Sequence, residues 1–464
     1  MATSLWNRGA LWALAAVMMG GRVGVGRVEA QPGDGGVERF TLGNGATVVL
    51  QAVPGVSGVG VETFYAFGFF DEPAGLTQAS HLIEHLVCYG ATEGRAPGAV
   101  FAELSGLGMV NAETLADFTH YDFMIPAQEL ERAVRAEAAR LGSLTIDAAL
   151  VKQEAPRCYA EAAAVDGAPQ GPLFKFATMA AHQSWRHGRG EALIRGGLVE
   201  APLDAVRGLH GAAYVPANLT LVVVGGFNPA EARAIIEKHL GAVPAREPAA
   251  RPPIAWDALP RRSVVHWDAA RTGIMLAFAP PESARDRLAL SLWGSTAMER
   301  LYRDPRADAI STFRLCTVHT NPVGDLPFMV YATLKPGVRV EEAERELAEA
   351  FGGIVERMSD GPALAQVQQL AAGLAQPMPL TKAIVEQHAG HLAKAQNMAK
   401  DRAEGMVLGN TALQIGIRRR LFGADAAARA KELGAITPEE FRALLARTFD
   451  SARRVTTVLA PKEE

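Results

Sequence analysis

The sequence predicts an α+β protein built from two related halves. Short segments rich in β-branched and aromatic residues alternate with longer segments of helical period. A helix–strand unit also recurs at a constant offset. Pro202 and Pro438, each just inside a helix start, are 236 residues apart, and so are the strand residues Thr220 and Thr456. The 464 residues are enough for two to three domains with large cores.

Composition excludes several classes of protein. The chain is 49% hydrophobic and 21% charged with a net charge of −4, which is typical of a soluble globular protein. No basic stretch indicates a nucleic-acid partner. The three cysteines are too few, and odd in number, for a disulfide framework. We interpret Cys88, the cysteine nearest the motif described below, as a core residue.

Residues 1–30 have the pattern of a secretory signal peptide. An apolar run, Gly9–Met19, is followed by small residues, Val28 and Ala30, where a signal peptidase would cut. The run is too short to span a bilayer as a stable helix. The arginines that follow it are less typical, so an uncleaved membrane anchor stays open. In a bacterium the protein would be exported or periplasmic.

The elements follow one another from Glu38 onward. Turn residues separate three predicted strands, and two more strands and four helices follow. The predicted strands are Phe40–Leu42, Thr47–Ala52, Val59–Phe67, Met109–Glu113 and Phe118–Ile125. The predicted helices are one within the apolar run Gly75–Tyr89, then Ala99–Ser105, Gln128–Leu141 and Ala148–Val165.

The apolar run Gly75–Tyr89 holds the pattern HxxEH, formed by His81, Glu84 and His85. On a helix, at about 100° per residue, these three side chains share one arc. Two imidazoles one turn apart can bind one zinc ion, and the carboxylate beside them can activate a water molecule. The alternative is two hydrogen-bonded histidines on a buried helix. Zinc needs a further ligand from elsewhere.

Two glutamates in Ala148–Val165 are candidates for that site. Glu161 lies 76 residues after His85, and Glu154 lies seven residues before Glu161, on nearly the same helix face. Pro156 stands between them. Either the helix kinks at Pro156, or its regular part begins there and leaves Glu154 outside.

These residues resemble the inverzincin metallopeptidases, the family of pitrilysin, insulysin and the mitochondrial processing peptidases. The shared pattern is HxxEH with a distal glutamate at this distance. The resemblance covers most of residues 38–239. Its further parts are Asn44–Leu50, Gly68–Leu76, Asn111–Tyr121 and Tyr214–Gly225.

The resemblance implies a fold and a mechanism. The two homologous α/β-sandwich domains would each have an antiparallel-rich sheet with helices on one face, and they would face each other across a cavity. One Zn²⁺ ion would be bound by His81, His85 and Glu161, with Glu84 as general base and Glu154 as an auxiliary acid. The substrate would be a short or unfolded peptide added to the strand at Asn111 and Ala112. For Asn111, a role as a strand-end cap is the alternative.

We predict a zinc-bearing domain over residues 36–241, a linker over 242–260 and a homologous domain over 261–464. The second half has no HxxEH. Its His388 and His391, on the predicted helix Leu380–Lys394, are three residues apart without a paired acid. We interpret them as part of a solvated face.

Active relatives usually have, in a C-terminal domain, an arginine followed seven residues later by a tyrosine, which is thought to grip the substrate backbone. Here Arg303 is followed at that distance by Ile310, and Arg306 by Phe313. The resemblance therefore implies a homologous partner subunit, in a heterodimer or a homodimer. Two other interpretations stay open, a non-catalytic partner or scaffold subunit and a structural zinc protein.

Overall fold

The computed structural model describes residues 37–73, 76, 78–115, 117–167, 202–249, 260–267, 270–316, 327–376, 380–423 and 425–461. The predicted signal, residues 1–30, lies outside this part. Within the described part, no helix is long and apolar enough to cross a membrane.

The first sheet has six strands in the order β1-β2-β6-β3-β5-β4. Only β2 and β6 run parallel, and the other neighbours are antiparallel, so the sheet is antiparallel-rich as predicted. Strand β4 ends this order and is an edge strand. The strands are β1 Val37–Thr41, β2 Thr47–Ala52, β3 Gly58–Tyr65, β4 Met109–Thr114, β5 Thr119–Pro126 and β6 Leu219–Gly225.

The second sheet repeats this topology with one strand fewer. Its order, β7-β11-β8-β10-β9, matches β2-β6-β3-β5-β4 of the first sheet position by position. Both ends of β11 lie 236 residues after those of β6, so the predicted internal repeat extends to the strand level. The strands are β7 Arg262–Trp267, β8 Gly273–Phe278, β9 Ser311–Cys316, β10 Phe328–Leu334 and β11 Val455–Pro461.

Helices alternate with the strands of both sheets along the chain. With the first sheet come α1 Ala79–Tyr89, α2 Ala99–Leu107, α3 Leu130–Ser143, α4 Ala148–Gly167, α5 Leu203–Ala213 and α6 Pro229–His239. Later in the chain come α7 Ala284–Tyr302, α8 Pro305–Ile310, α9 Val340–Arg357, α10 Gly361–Ala375, α11 Lys382–Gln396, α12 Lys400–Phe422, α13 Ala426–Gly434 and α14 Pro438–Thr448. A capping box between Thr437 and Glu440 begins α14.

Helix α4 is continuous through Pro156. The alternative that its regular part begins at Pro156 is therefore wrong, and Glu154 and Glu161 lie on one helix. Proline leaves the carbonyl of the residue four positions earlier without its helical donor. That residue is Lys152, and both it and Pro156 are exposed, so water can satisfy the carbonyl.

Packing divides the chain into two compact units. One contains the described residues of Gly35–Gly273, Leu380–Ile417 and Val458–Glu464, and the other contains those of Ile274–Pro379 and Arg418–Thr457. The predicted boundaries at residues 241 and 261 stay a prediction. The packing units differ from them by placing residues 380–417, which include α11 and most of α12, with the first sheet.

Helix α12 packs on the first sheet through glycines. A Cβ on Gly60 of β3 would lie 2.5 Å from the backbone nitrogen of Gly409, so backbone approaches backbone here. Gly416 is similarly close to the ring of Phe64. The Glu404 carboxylate accepts hydrogen bonds from the backbone nitrogens of Ser57 and Gly58 at 3.0 and 3.2 Å.

The opposite face of the first sheet forms the core with α1, α3 and α4. Leu82, Ile83 and Leu86 of α1 and Phe123 of β5 are fully buried. Burying such a side chain contributes about 1.5–3 kcal/mol. This apolar side of α1 fixes the helix and leaves its polar arc facing α4.

Candidate metal centre

Glu72 holds the beginning of α1. Its carboxylate, only 1% exposed, accepts hydrogen bonds from the backbone nitrogens of Gln78 and Ser80 at 2.8 and 2.9 Å and from the Ser80 hydroxyl. A negative group at this end satisfies free N–H groups and interacts favourably with the helix dipole. Gln78 has a φ of 71°, in the left-handed region that a non-glycine residue seldom adopts.

The structure brings His81, His85 and Glu161 together. Glu161 Oε2 lies 3.5 Å from His81 Nε2 and 3.6 Å from His85 Nε2. With bonds of about 2.0–2.2 Å, a tetrahedral zinc ion separates its ligand atoms by about 3.3–3.5 Å. Two imidazoles and a carboxylate are an ordinary donor set for zinc, so these residues fit the ion.

The other ring nitrogen of each histidine meets an acceptor. His81 Nδ1 lies 3.2 Å from Gln78 Oε1, and His85 Nδ1 lies 3.2 Å from Glu154 Oε2. With a proton on Nδ1, each ring donates to its acceptor, and Nε2, on the side of Glu161, is the atom that a metal ion would bind. Such contacts fix both the tautomer and the ring orientation of a metal-binding histidine.

Glu154 is fully buried beside His85. Its other oxygen, Oε1, accepts hydrogen bonds from Gln153 Nε2 and Arg157 Nη1, both at 2.8 Å. Both oxygens of this carboxylate are therefore engaged, one by His85 and one by its neighbours on α4.

Glu84 lies on the same arc of α1 and is 4% exposed. Thr114, the last residue of β4, donates from Oγ1 to Glu84 Oε2 at 2.7 Å. The hydrogen bond fixes one carboxylate oxygen and ties the helix to the edge strand. On that strand the Asn111 side chain is exposed, whereas Ala112 is 5% exposed.

Sequence reasoning missed Cys158. Possible ligand atoms of His81, His85 and Cys158 all lie within 4.8 Å of one another, and Cys158 is fully buried. It stands three residues before Glu161 on α4, a spacing that places both on one face and that was available in the sequence. A thiolate is also a zinc ligand. Cys88, interpreted as core, is buried in the core of the first sheet.

The charges of this group favour a cation. Partial burial raises the pKa of Glu161, but the hydrogen bonds from His81 and His85 outweigh it and leave the pKa well below its usual range. Burial lowers the pKa of His85, yet its contacts with Cys158 and Glu161 raise it overall to about 12. A proton is therefore held firmly where the geometry would also accept a divalent cation.

Comparisons with known proteins show what this chain is similar to. Residues 201–362 match the family described as "Peptidase M16 inactive domain", a span that begins after Glu161. An uncharacterised zinc protease of Mycobacterium leprae is 26% identical over 337 residues, which cover 69% of this chain and 74% of that protein.

Two solved structures share the fold. A protease from Helicobacter pylori has 17% sequence identity and a TM-score of 0.63, covering 92% of this chain and 99% of that one. The periplasmic protease PqqL from Escherichia coli has 15% identity and a TM-score of 0.57, covering 94% of this chain. The protein spans only 48% of PqqL, about half its length. The two-domain M16 fold is thus shown for this chain.

Proposed function

We propose that the protein is a zinc-dependent endopeptidase that hydrolyses short or unfolded peptides. One zinc ion would be bound by His81, His85 and Glu161, with Glu84 as general base. The observation that carries the proposal is the position of Glu161 Oε2 within 3.6 Å of both histidine Nε2 atoms. The similarity to zinc proteases supports it.

Each residue of the site would have its own role in the reaction. His81, His85 and Glu161 would hold the zinc ion, which would polarise the scissile carbonyl and lower the pKa of the attacking water. Glu84, oriented by Thr114, accepts the proton of that water and passes it to the leaving amine. The free edge of β4 around Asn111 and Ala112 would pair with the peptide backbone, which gives affinity with little demand on sequence.

In this arrangement Glu154 is a positioning residue, in place of the auxiliary acid that the resemblance implies. Its contact with His85 Nδ1 leaves Nε2 for the metal. We expect Glu154→Gln to weaken zinc affinity by about 10–100-fold, the usual effect of removing such a partner. Competition with a chromophoric chelator measures this affinity. Lys152→Ala, an exposed change on the same helix, is the control and should leave affinity unchanged. Equal affinities in all three proteins would contradict the role.

We further propose that the protein works with a homologous partner subunit and is exported. The missing arginine–tyrosine pair supports a partner, as does the coverage of about half of PqqL, itself a periplasmic protease. The pattern of residues 1–30 supports export. A non-catalytic subunit is the second candidate, favoured by the match to the inactive-domain family. The presence of His81, Glu84, His85 and Glu161 argues against it.

The test measures zinc content and cleavage of an unfolded peptide by the purified chain, alone and mixed with a homologous chain that has the arginine–tyrosine pair. We expect the lone chain to bind zinc and cleave poorly. The mixture should cleave efficiently, lose activity to a chelator and recover it with zinc. Robust turnover by the lone chain would remove the partner proposal. If the chain bound no zinc, or if a chelator did not inhibit cleavage, the peptidase proposal would be contradicted.

A further inference from the structure

A second group of ionisable side chains lies on the other face of the first sheet. Glu62 of β3 pairs in register with Asp122 of β5, and Glu113 of β4 pairs with His120 of β5. Successive strand residues point to opposite faces. Thr114 reaches Glu84 of the candidate metal centre, so Glu113 and this group belong to the face that α12 packs against.

The group is compact and buried. Glu62, His120 and Asp122 are 1%, 3% and 5% exposed. His120 Nδ1 lies 3.1 Å from Glu62 Oε2 and 3.8 Å from Asp122 Oδ1. One ligand atom from each of the three residues lies within 4.8 Å of the other two. These separations bracket the distance of about 3.3–3.5 Å between ligand atoms around a tetrahedral ion.

Two buried atoms in the group have no hydrogen-bond partner among the described residues. They are Asp122 Oδ1, which faces His120 Nδ1, and His120 Nε2, which lies 3.6 Å from Glu113 Oε2. A buried polar atom left without a partner costs about 1–3 kcal/mol. A ligand bound beside Glu62 and Asp122 would satisfy Asp122 Oδ1, whereas His120 Nε2 faces the Glu113 carboxylate.

The balance of charge points to a cation. Three carboxylates surround one imidazole, and in the described part of the chain no lysine or arginine forms an ion pair with them. Burial, reinforced by the nearby Asp122, raises the pKa of Glu62 to about 8. Burial also raises the pKa of Asp122. Burial lowers the pKa of His120, but the neighbouring carboxylates of Glu113 and Glu62 raise it well above its usual range. The group therefore holds protons that a divalent cation could replace, and the cation would then offset the charge of the carboxylates.

We propose that Glu62, His120 and Asp122 form a second metal site that binds a divalent transition-metal cation such as Zn²⁺ or Mn²⁺. Imidazole with carboxylate oxygens is the donor set that these ions accept. Glu113, whose side chain is 20% exposed on the edge strand, provides a carboxylate at the rim through which the ion enters. The bound ion joins β3 to β5 and stabilises the sheet that also carries Thr114.

The test separates the two sites by substitution. Each protein is dialysed to equilibrium against Zn²⁺ or Mn²⁺ separately. Mass spectrometry then measures the number of metal ions bound per chain. We expect two ions per wild-type chain in Zn²⁺ and one in His81→Ala. The double variant His81→Ala with Asp122→Asn should hold no ion, because the second substitution weakens the affinity of the second site at least tenfold. Glu62→Gln should act like Asp122→Asn.

Controls keep the result interpretable. Asp122→Asn and Glu62→Gln each preserve the shape of the side chain, and circular dichroism checks that every variant folds. Glu129→Gln, which changes a carboxylate paired with Arg132, should leave the metal content of His81→Ala unchanged. A His81→Ala chain without metal would overturn the proposal, as would one that keeps its ion after Asp122→Asn. Neither result depends on peptidase activity, so failure of this site and failure of the proposed function are distinguishable.

Discussion

Glu84→Gln is expected to leave zinc bound while lowering the rate of peptide cleavage by about 10²–10⁴-fold, the usual contribution of a general base. The amide keeps the size of the side chain and can still accept the hydrogen bond from Thr114. It cannot take a proton from water at neutral pH. The loss should therefore fall on kcat, with KM and zinc content close to wild type.

Zinc content by mass spectrometry and steady-state kinetics with the partner chain present measure these effects. Thr114→Val is the matched variant, since it removes the hydroxyl that orients Glu84 but keeps the base. Its loss in kcat should be smaller than that of Glu84→Gln. Unaltered cleavage by Glu84→Gln would exclude Glu84 as the base.

His81→Ala is expected to lose the candidate catalytic zinc and cleavage together. It removes one of three protein ligands, and zinc affinity should fall by more than about 100-fold, since loss of a supporting partner alone costs about 10–100-fold. Added zinc at high concentration should restore part of the binding and little of the rate. Chelator competition and peptide cleavage, measured on the same preparation, test both statements.

His391→Ala is the control for this prediction. His391 is exposed on α11 and was interpreted from the sequence as part of a solvated face. Its removal should change neither affinity nor rate. If His81→Ala kept wild-type zinc affinity at this site, the ligand set would need revision, with His85 and the nearby Cys158 as the first residues to consider.

The sequence predicted much of this architecture because local patterns determine it. The apolar stretch that became α1 allowed one choice of buried face, and HxxEH marked its polar arc. The 236-residue offset predicted the repeat, and both sheets have the same strand order. Glu161 was identified through a resemblance and a distance along the chain, and the structure places it beside both histidines.

Other features depend on tertiary contacts that periodicity does not encode. The left-handed φ of Gln78 is stabilised by Glu72, six residues earlier in a different turn. Helix α4 can continue through Pro156 because Pro156 and Lys152 lie on its exposed face, where water can satisfy the Lys152 carbonyl. Cys158 had a suggestive spacing, but only the packing of α4 against α1 places it near the histidines. The carboxylates around His120 come from three strands, so the sequence alone gave no reason to group them.

The packing of α12 on the first sheet has a consequence for taking the protein apart. Cutting the gene after residue 249 would deliver every proposed zinc ligand but would strip Gly60, Phe64 and Met124 of their helical cover. Such a fragment would expose Phe64 and Met124 to water together with the buried ionisable group beside them, and would lose the packing that stabilises this face of the sheet. The two halves repeat one strand order, yet a helix from late in the chain covers the first sheet, so we expect the first half to need that helix in order to fold.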